Sequence, residues 1–183
     1  MSTDSREAAR DNPSALLVVV MGVSAVGKST VGRLLASRLD LEYADADDFH
    51  SQSNIAKMSR GEPLDDDDRW PWLESIGNWL GAHRETGAVV SCSALKRSYR
   101  DVLVRAAPTL RFVHLDGDPD IIRERIAVRG HHFMPASLLD SQLATLEPLG
   151  SDEPGARFDI DGSPDQIVDE FLDMVRDWRH PTG

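Results

Sequence analysis

Hydrophobic positions along the chain follow two alternating rhythms. Leu16-Leu17-Val18-Val19-Val20-Met21 is an unbroken apolar run, which predicts a strand buried on both faces of a parallel sheet. Shorter runs at 88–92 and 110–115 predict two more strands. Between them, 3.6-residue periodicity predicts helices at about 28–39, 68–85, 96–106 and 119–129. Ser163-Pro164-Asp165-Gln166 offers a capping hydroxyl, a proline at the first helical position and a glutamine for a capping box. Ile167, Val168, Phe171, Leu172 and Val175 then form the apolar face of a final helix. Asp118-Pro119 starts the preceding helix in the same way, with Ile122 and Ile126 on its buried side. This order predicts an α/β fold with a mainly parallel sheet and helices on both faces. No repeat or low-complexity linker divides it, so residues 15–183 are expected to form one domain behind a disordered tail at 1–14.

Composition narrows the function classes. The 183 residues carry 31 acidic and 20 basic side chains, a formal net charge of −11. Such a surface repels polyanions, which argues against a broad nucleic-acid or anionic-membrane interface. Any anionic ligand must be met by a local basic site. Cys92 is the single cysteine, so an internal disulfide framework and a cysteine zinc cluster are excluded. The N-terminal segment lacks the apolar core of a signal peptide, and the run at 16–21 is too short to span a bilayer. A cytoplasmic location is expected.

Chemistry first appears directly after the initial strand. Gly22-Val23-Ser24-Ala25-Val26-Gly27-Lys28-Ser29 matches G-x-x-x-x-G-K-[ST], the Walker A pattern, between a predicted strand and a predicted helix. The glycines let the backbone curl so that its N–H groups face inward, and the helix presents its positive end to phosphates. Residues 22–30, ending at Thr30, are the candidate ATP-binding segment. Lys28 would reach the β- and γ-phosphates, and Ser29 would ligate Mg²⁺. A chance match in a chain this long has a probability on the order of a hundredth.

An acceptor site is expected beside it. Leu41-Glu42-Tyr43-Ala44-Asp45-Ala46-Asp47-Asp48-Phe49-His50 reads as a short strand running into carboxylates. The C-terminal end of a parallel strand faces the ligand crevice, and Asp45 and Asp47 would share one side if strand geometry persisted. One carboxylate would serve the metal, the other a substrate hydroxyl. Asp48 reads as a turn residue. Lys96, Arg97 and Arg100 follow another strand end, where they would face the crevice and bind a substrate carboxylate or phosphate. Asp65 to Asp68 more simply load a helix N-terminus than bind metal. Trp70, Trp72 and Trp79 read as packing residues, as does Cys92.

The sequence resembles the gluconokinase family of P-loop sugar-acid kinases, relatives of shikimate kinase and the nucleoside monophosphate kinases. The resemblance runs from Val20 to about Asp161. It rests on Met21-Gly22-Val23-Ser24, Asp45-Ala46-Asp47-Asp48-Phe49-His50, Asn54-Ile55-Ala56-Lys57-Met58, Gly61-Glu62-Pro63-Leu64 and Asp66-Asp67-Asp68-Arg69. It continues through Pro71-Trp72-Leu73, Cys92-Ser93-Ala94-Leu95-Lys96 with Tyr99-Arg100-Asp101, and Gly130-His131-His132-Phe133-Met134.

That resemblance implies a three-layer P-loop kinase fold with a five-stranded sheet and a small lid at about 125–147. It implies ATP- and Mg²⁺-dependent phosphorylation of D-gluconate at its 6-hydroxyl. The product, 6-phosphogluconate, would feed gluconate catabolism and the pentose phosphate pathway. By the same resemblance Asp47 contacts the acceptor hydroxyl and Asp45 supports the metal. His50, Asn54, Lys57, Arg60 and His131 join Lys96 and Arg100 in the substrate set, and Arg125 and Arg129 act as lid arginines over the γ-phosphate. A helix would place Asn54 and Lys57 on one face.

The resemblance is compatible with a homodimer, and no nucleic-acid or membrane partner is expected. Ala25-Val26 stand where most of the family has Gly-Ser, so Ala25 must accept whatever dihedral that position adopts. Arg97 and Arg123 read as surface charges. Asp116 and Gly117 fall near the crevice without a role, and the segment 157–166 is expected near the adenine. The alternatives are a shikimate or nucleotide kinase, or a nucleotide-binding switch. A shikimate kinase is disfavoured, since it would be expected to carry a Gly-Gly-Gly turn and no Gly-Gly pair occurs in the chain.

Overall fold

The computed structural model describes residues 15–128 and 136–179. The expected tail at 1–14 and the lid residues Arg129 and His131 lie outside the described residues. The elements run β1 (Leu17–Met21), α1 (Lys28–Leu39), β2 (Glu42–Asp45), a 3-10 turn (Ala46–Phe49), α2 (Gln52–Ser59) and α3 (Asp66–Ala82). They continue with β3 (Ala88–Ser91), α4 (Arg97–Ala106), β4 (Arg111–Asp116), α5 (Pro119–Val128), α6 (Ala136–Thr145), β5 (Gly155–Asp159) and α7 (Pro164–Arg179).

The five strands form one sheet in the order β2-β3-β1-β4-β5, and every pairing is parallel. β1 is therefore central and all five of its residues are fully buried. Its side chains divide between two cores, as the alternation of a strand requires. Val18 and Val20 meet Val31, Leu35 and Phe171 of α1 and α7, while Leu17, Val19 and Met21 meet Leu73, Ile76 and Leu103 of α3 and α4. Full burial of each such side chain contributes roughly 1.5–3 kcal/mol. Because the apolar run faces helices on both sides, the loop that follows it hangs from the most enclosed strand of the sheet.

Local signals account for the element ends. The expected capping box before α7 is present: the Gln166 N–H donates to Ser163 Oγ at 3.2 Å, and the Ser163 N–H donates to Gln166 Oε1 at 2.8 Å. Asp65 and Asp68 form another at the start of α3. The fifth strand is the edge strand β5, whose Gly155 comes so close to Phe112 that a Cβ would lie 2.2 Å from its carbonyl oxygen.

Candidate active site

The phosphate loop has the curled backbone its sequence calls for. Gly22 and Gly27 have φ of 143° and 99°, in the region that favours glycine. A Cβ on Gly22 would also lie 2.6 Å from the Leu115 carbonyl oxygen. Ala25 sits between them at φ 66°, a left-handed conformation that a Cβ disfavours by about 1–2 kcal/mol. Val23 and Val26 point into the core, so only their backbone is available to a nucleotide. α1 begins at Gly27 with no side-chain cap, leaving amide donors for phosphate oxygens. Ser29 and Thr30 are exposed there.

Lys28 is anchored beneath the loop, where its Nζ donates to the Val23 carbonyl at 2.9 Å. Desolvation lowers its pKa, against the raising influence of Cys92, Asp47 and Asp45. Ser91, a polar residue at the end of the apolar strand β3, donates its hydroxyl to the Lys28 carbonyl at 3.0 Å and accepts from Tyr43 at 2.9 Å. The buried Cys92 thiol is pushed up to about 12 by desolvation and is inert.

Asp45 and Asp47 are brought together, but not on a shared strand face. β2 ends at Asp45, whose Oδ1 accepts the Asp47 N–H at 3.0 Å and so starts the 3-10 turn. Strand geometry fails at that point because the carboxylate satisfies the turn's own backbone. The other oxygen, Oδ2, lies 3.5 Å from the Ser29 hydroxyl. These hard oxygen donors fit Mg²⁺, which takes few protein ligands and relies on phosphates and water for the rest.

The Asp47 side chain is 87% accessible and its nearest basic neighbour is His50 Nε2 at 3.9 Å. The pKa of its carboxyl is raised by desolvation first and by Asp45 second, with His50 and Lys28 opposing.

The acceptor wall is a lattice of paired charges. Asn54 is buried and donates to the Asp68 carbonyl at 3.0 Å, while Lys57 meets the Asp68 carboxylate at 2.6 Å. The one-face expectation for Asn54 and Lys57 therefore holds, with α3 as the surface they meet. His50 stacks on Trp72 with centroids 4.6 Å apart, and Trp72 donates to the Ala46 carbonyl at 2.7 Å. Lys96 binds Asp66 at 3.1 Å, and Tyr99 donates to the same carboxylate. The aspartates at 66 and 68 thus do more than load the helix end: they hold the two cations that sequence reasoning assigned to substrate.

Three assignments change. Arg100 does not face the crevice. Its guanidinium is 1% exposed and pairs with Glu153 at 2.6 Å, donating also to the Ala94 carbonyl, so its donors are committed to structure. Arg125 does not reach over the phosphate loop: its Nη2 donates to the Ile160 carbonyl at 2.6 Å, beyond β5. Arg60 turns to Glu62 at 2.9 Å on the surface. Arg97 and Arg123 are the expected surface charges, paired with Asp152 and with Asp120 and Asp140. Asp116 pairs with Arg157. Sequence reasoning missed Ser91, Tyr99 and Gln142, whose Oε1 accepts the Ser24 N–H at 2.7 Å.

A family model described as an AAA domain matches residues 17–149. A gluconokinase of Gluconobacter oxydans is 46% identical over 157 residues, covering 85% of this chain and 88% of that protein. The chain belongs to the gluconokinase family. The crystal structure of a gluconokinase from Sinorhizobium meliloti superposes with a TM-score of 0.80 at 45% identity, covering 89% of this chain and 93% of that one. An unliganded sugar kinase from a Janibacter species gives a TM-score of 0.80 at 49% identity, covering 87% and 95%. Membership accounts for the P-loop kinase fold and for ATP binding. No described helix is long and apolar enough to cross a membrane.

Proposed function

We propose that this gluconokinase-family enzyme transfers the γ-phosphoryl group of ATP to the 6-hydroxyl of D-gluconate, giving 6-phosphogluconate and ADP. The observation that carries the reading is a carboxylate, Asp47, that accepts no hydrogen bond among the described residues and lies within the electrostatic reach of the Walker lysine. A polyol substrate needs hydroxyl-binding groups and a cation for its carboxylate. His50, Asn54, Lys57 and Lys96 supply both kinds.

In this mechanism the loop amides and Lys28 hold the phosphates, and Asp47 orients the hydroxyl and takes its proton. Lys28 counters charge on the transferring group. Ser29 and Asp45 would hold Mg²⁺, which when bound neutralises the phosphate oxygens. Lys57 and Lys96 exchange their aspartate partners for substrate oxygens. Residues 15–183 act as one kinase domain with a lid at about 125–147, in the cytoplasm, and the chain pairs as a homodimer.

An ADP-release assay across sugar acids, shikimate and nucleoside monophosphates tests the reading. Release that depends on added gluconate is expected. ATP binding with no gluconate-dependent turnover overturns the kinase assignment in favour of a nucleotide switch.

A further inference from the structure

One peptide group in the phosphate loop is held from both ends. The carbonyl of Val23 accepts from Lys28 Nζ at 2.9 Å, and the adjoining N–H of Ser24 donates to Gln142 Oε1 at 2.7 Å. The first partner belongs to the loop's own motif. The second comes from α6, 118 residues away in sequence.

Amides of such a loop are directed inward to meet phosphate oxygens. An inward N–H without an acceptor is costly. Gln142 supplies that acceptor as a neutral carbonyl oxygen, the nearest protein equivalent of a phosphate oxygen that carries no charge. Its position is fixed by its helix: Leu139 is fully buried in the α1/α7 core, Asp140 pairs with Arg123 at 2.8 Å, and the Glu147 N–H just beyond the helix donates to the Leu95 carbonyl at 2.8 Å. The side chain is thus presented to the loop by an anchored element.

We propose that Gln142 is a stand-in for a nucleotide phosphate, its side-chain carbonyl occupying the Ser24 amide until ATP arrives and competing with ATP for that donor. The proposal rests on the reading that this loop binds ATP. It makes Gln142 a positioning residue that lowers nucleotide affinity by holding the Ser24 amide of the empty loop. A carboxylate at the same place would bind the amide more firmly, attract Lys28 and repel phosphate.

Calorimetric titration of ATP into the full chain, with Mg²⁺ and without gluconate, tests this. Gln142→Ala and Gln142→Met remove the acceptor, and Met keeps the length of the side chain should the smaller residue fail to fold. Either variant is expected to bind ATP about 2- to 10-fold more tightly than wild type, the span of one hydrogen bond. Gln142→Glu is expected to bind at least roughly tenfold more weakly. A purely structural glutamine would weaken binding in all three. Unchanged or weaker binding in both Gln142→Ala and Gln142→Met overturns the proposal, as does unchanged binding in Gln142→Glu. Wild-type protein that binds no ATP would instead overturn the kinase reading.

Discussion

Asp45 and Asp47 share one hydrogen bond: Oδ1 of Asp45 takes the Asp47 N–H at 3.0 Å, which leaves its Oδ2 3.5 Å from the Ser29 hydroxyl and the Asp47 carboxylate open to solvent, the arrangement on which the proposed base rests. A base must be deprotonated to act, so activity falls as pH drops through the Asp47 pKa. Because that pKa is raised by desolvation and then by Asp45, the acid limb of kcat/KM should lie above the ordinary aspartate range. Asp47→Asn should cut kcat by about 10²–10⁴-fold with ATP affinity retained. Asp45→Asn should move the acid limb to lower pH at saturating Mg²⁺. A pH-rate series on the three proteins checks both, and an unmoved limb would remove Asp45 from the account.

Arg100 is predicted to matter for stability rather than for substrate. Its side chain and that of Glu153 are 1% and 5% exposed, and losing one partner of a buried pair costs about 3–5 kcal/mol. Desolvation would raise the Glu153 pKa, but the Arg100 and Gly150 hydrogen bonds prevail and lower it. Arg100→Met should lower Tm by on the order of 10 °C while KM for gluconate stays within twofold. A large rise in KM with normal Tm would restore the crevice assignment.

His114 makes folding sensitive to acid. It is fully buried on β4, its Nδ1 accepts the Leu149 N–H at 3.4 Å, and its Nε2 lacks a partner among the described residues. That arrangement suits a neutral ring, and desolvation lowers the pKa to about 4. Unfolded histidine titrates near 6.5, so the unfolded chain takes up a proton first as pH falls. The neutral ring's stability is fully present above about 6.5 and is lost progressively towards pH 4, by roughly 3 kcal/mol. Urea unfolding of wild type and His114→Gln between pH 7 and 4 should show a difference that changes across this window. A constant difference would mean the ring does not titrate on unfolding.

Ala25 carries a left-handed backbone at φ 66°. Ala25→Gly relieves the Cβ contact at some cost in chain entropy, and the net gain expected is about 0.5–1 kcal/mol. Chemical denaturation measures it directly; a loss of stability would show that the loop holds this dihedral without strain.

Contiguous signals were legible in the sequence, and long-range partnerships were not. The expected bounds of α1 at 28–39 match Lys28–Leu39 because a motif and a helical period meet there. The Ser163 box was legible for the same reason. β5 escaped because Gly-Ala-Arg-Phe-Asp buries little more than Phe158 at a sheet edge. Arg100 was misplaced because Glu153, 53 residues on, decides where it points. Gln142 carries no motif that marks it, and only the return of α6 to the loop brings it there.

The central position of β1 has a dynamic consequence. Its amides are bonded on both sides by β3 and β4, so they should exchange with solvent only through global unfolding. The acceptor wall hangs instead on ion pairs such as Lys57 with Asp68 and Lys96 with Asp66, which salt weakens. Ionic strength should therefore loosen the ion-paired wall proposed for the sugar acid while leaving the strand beneath the phosphate loop intact.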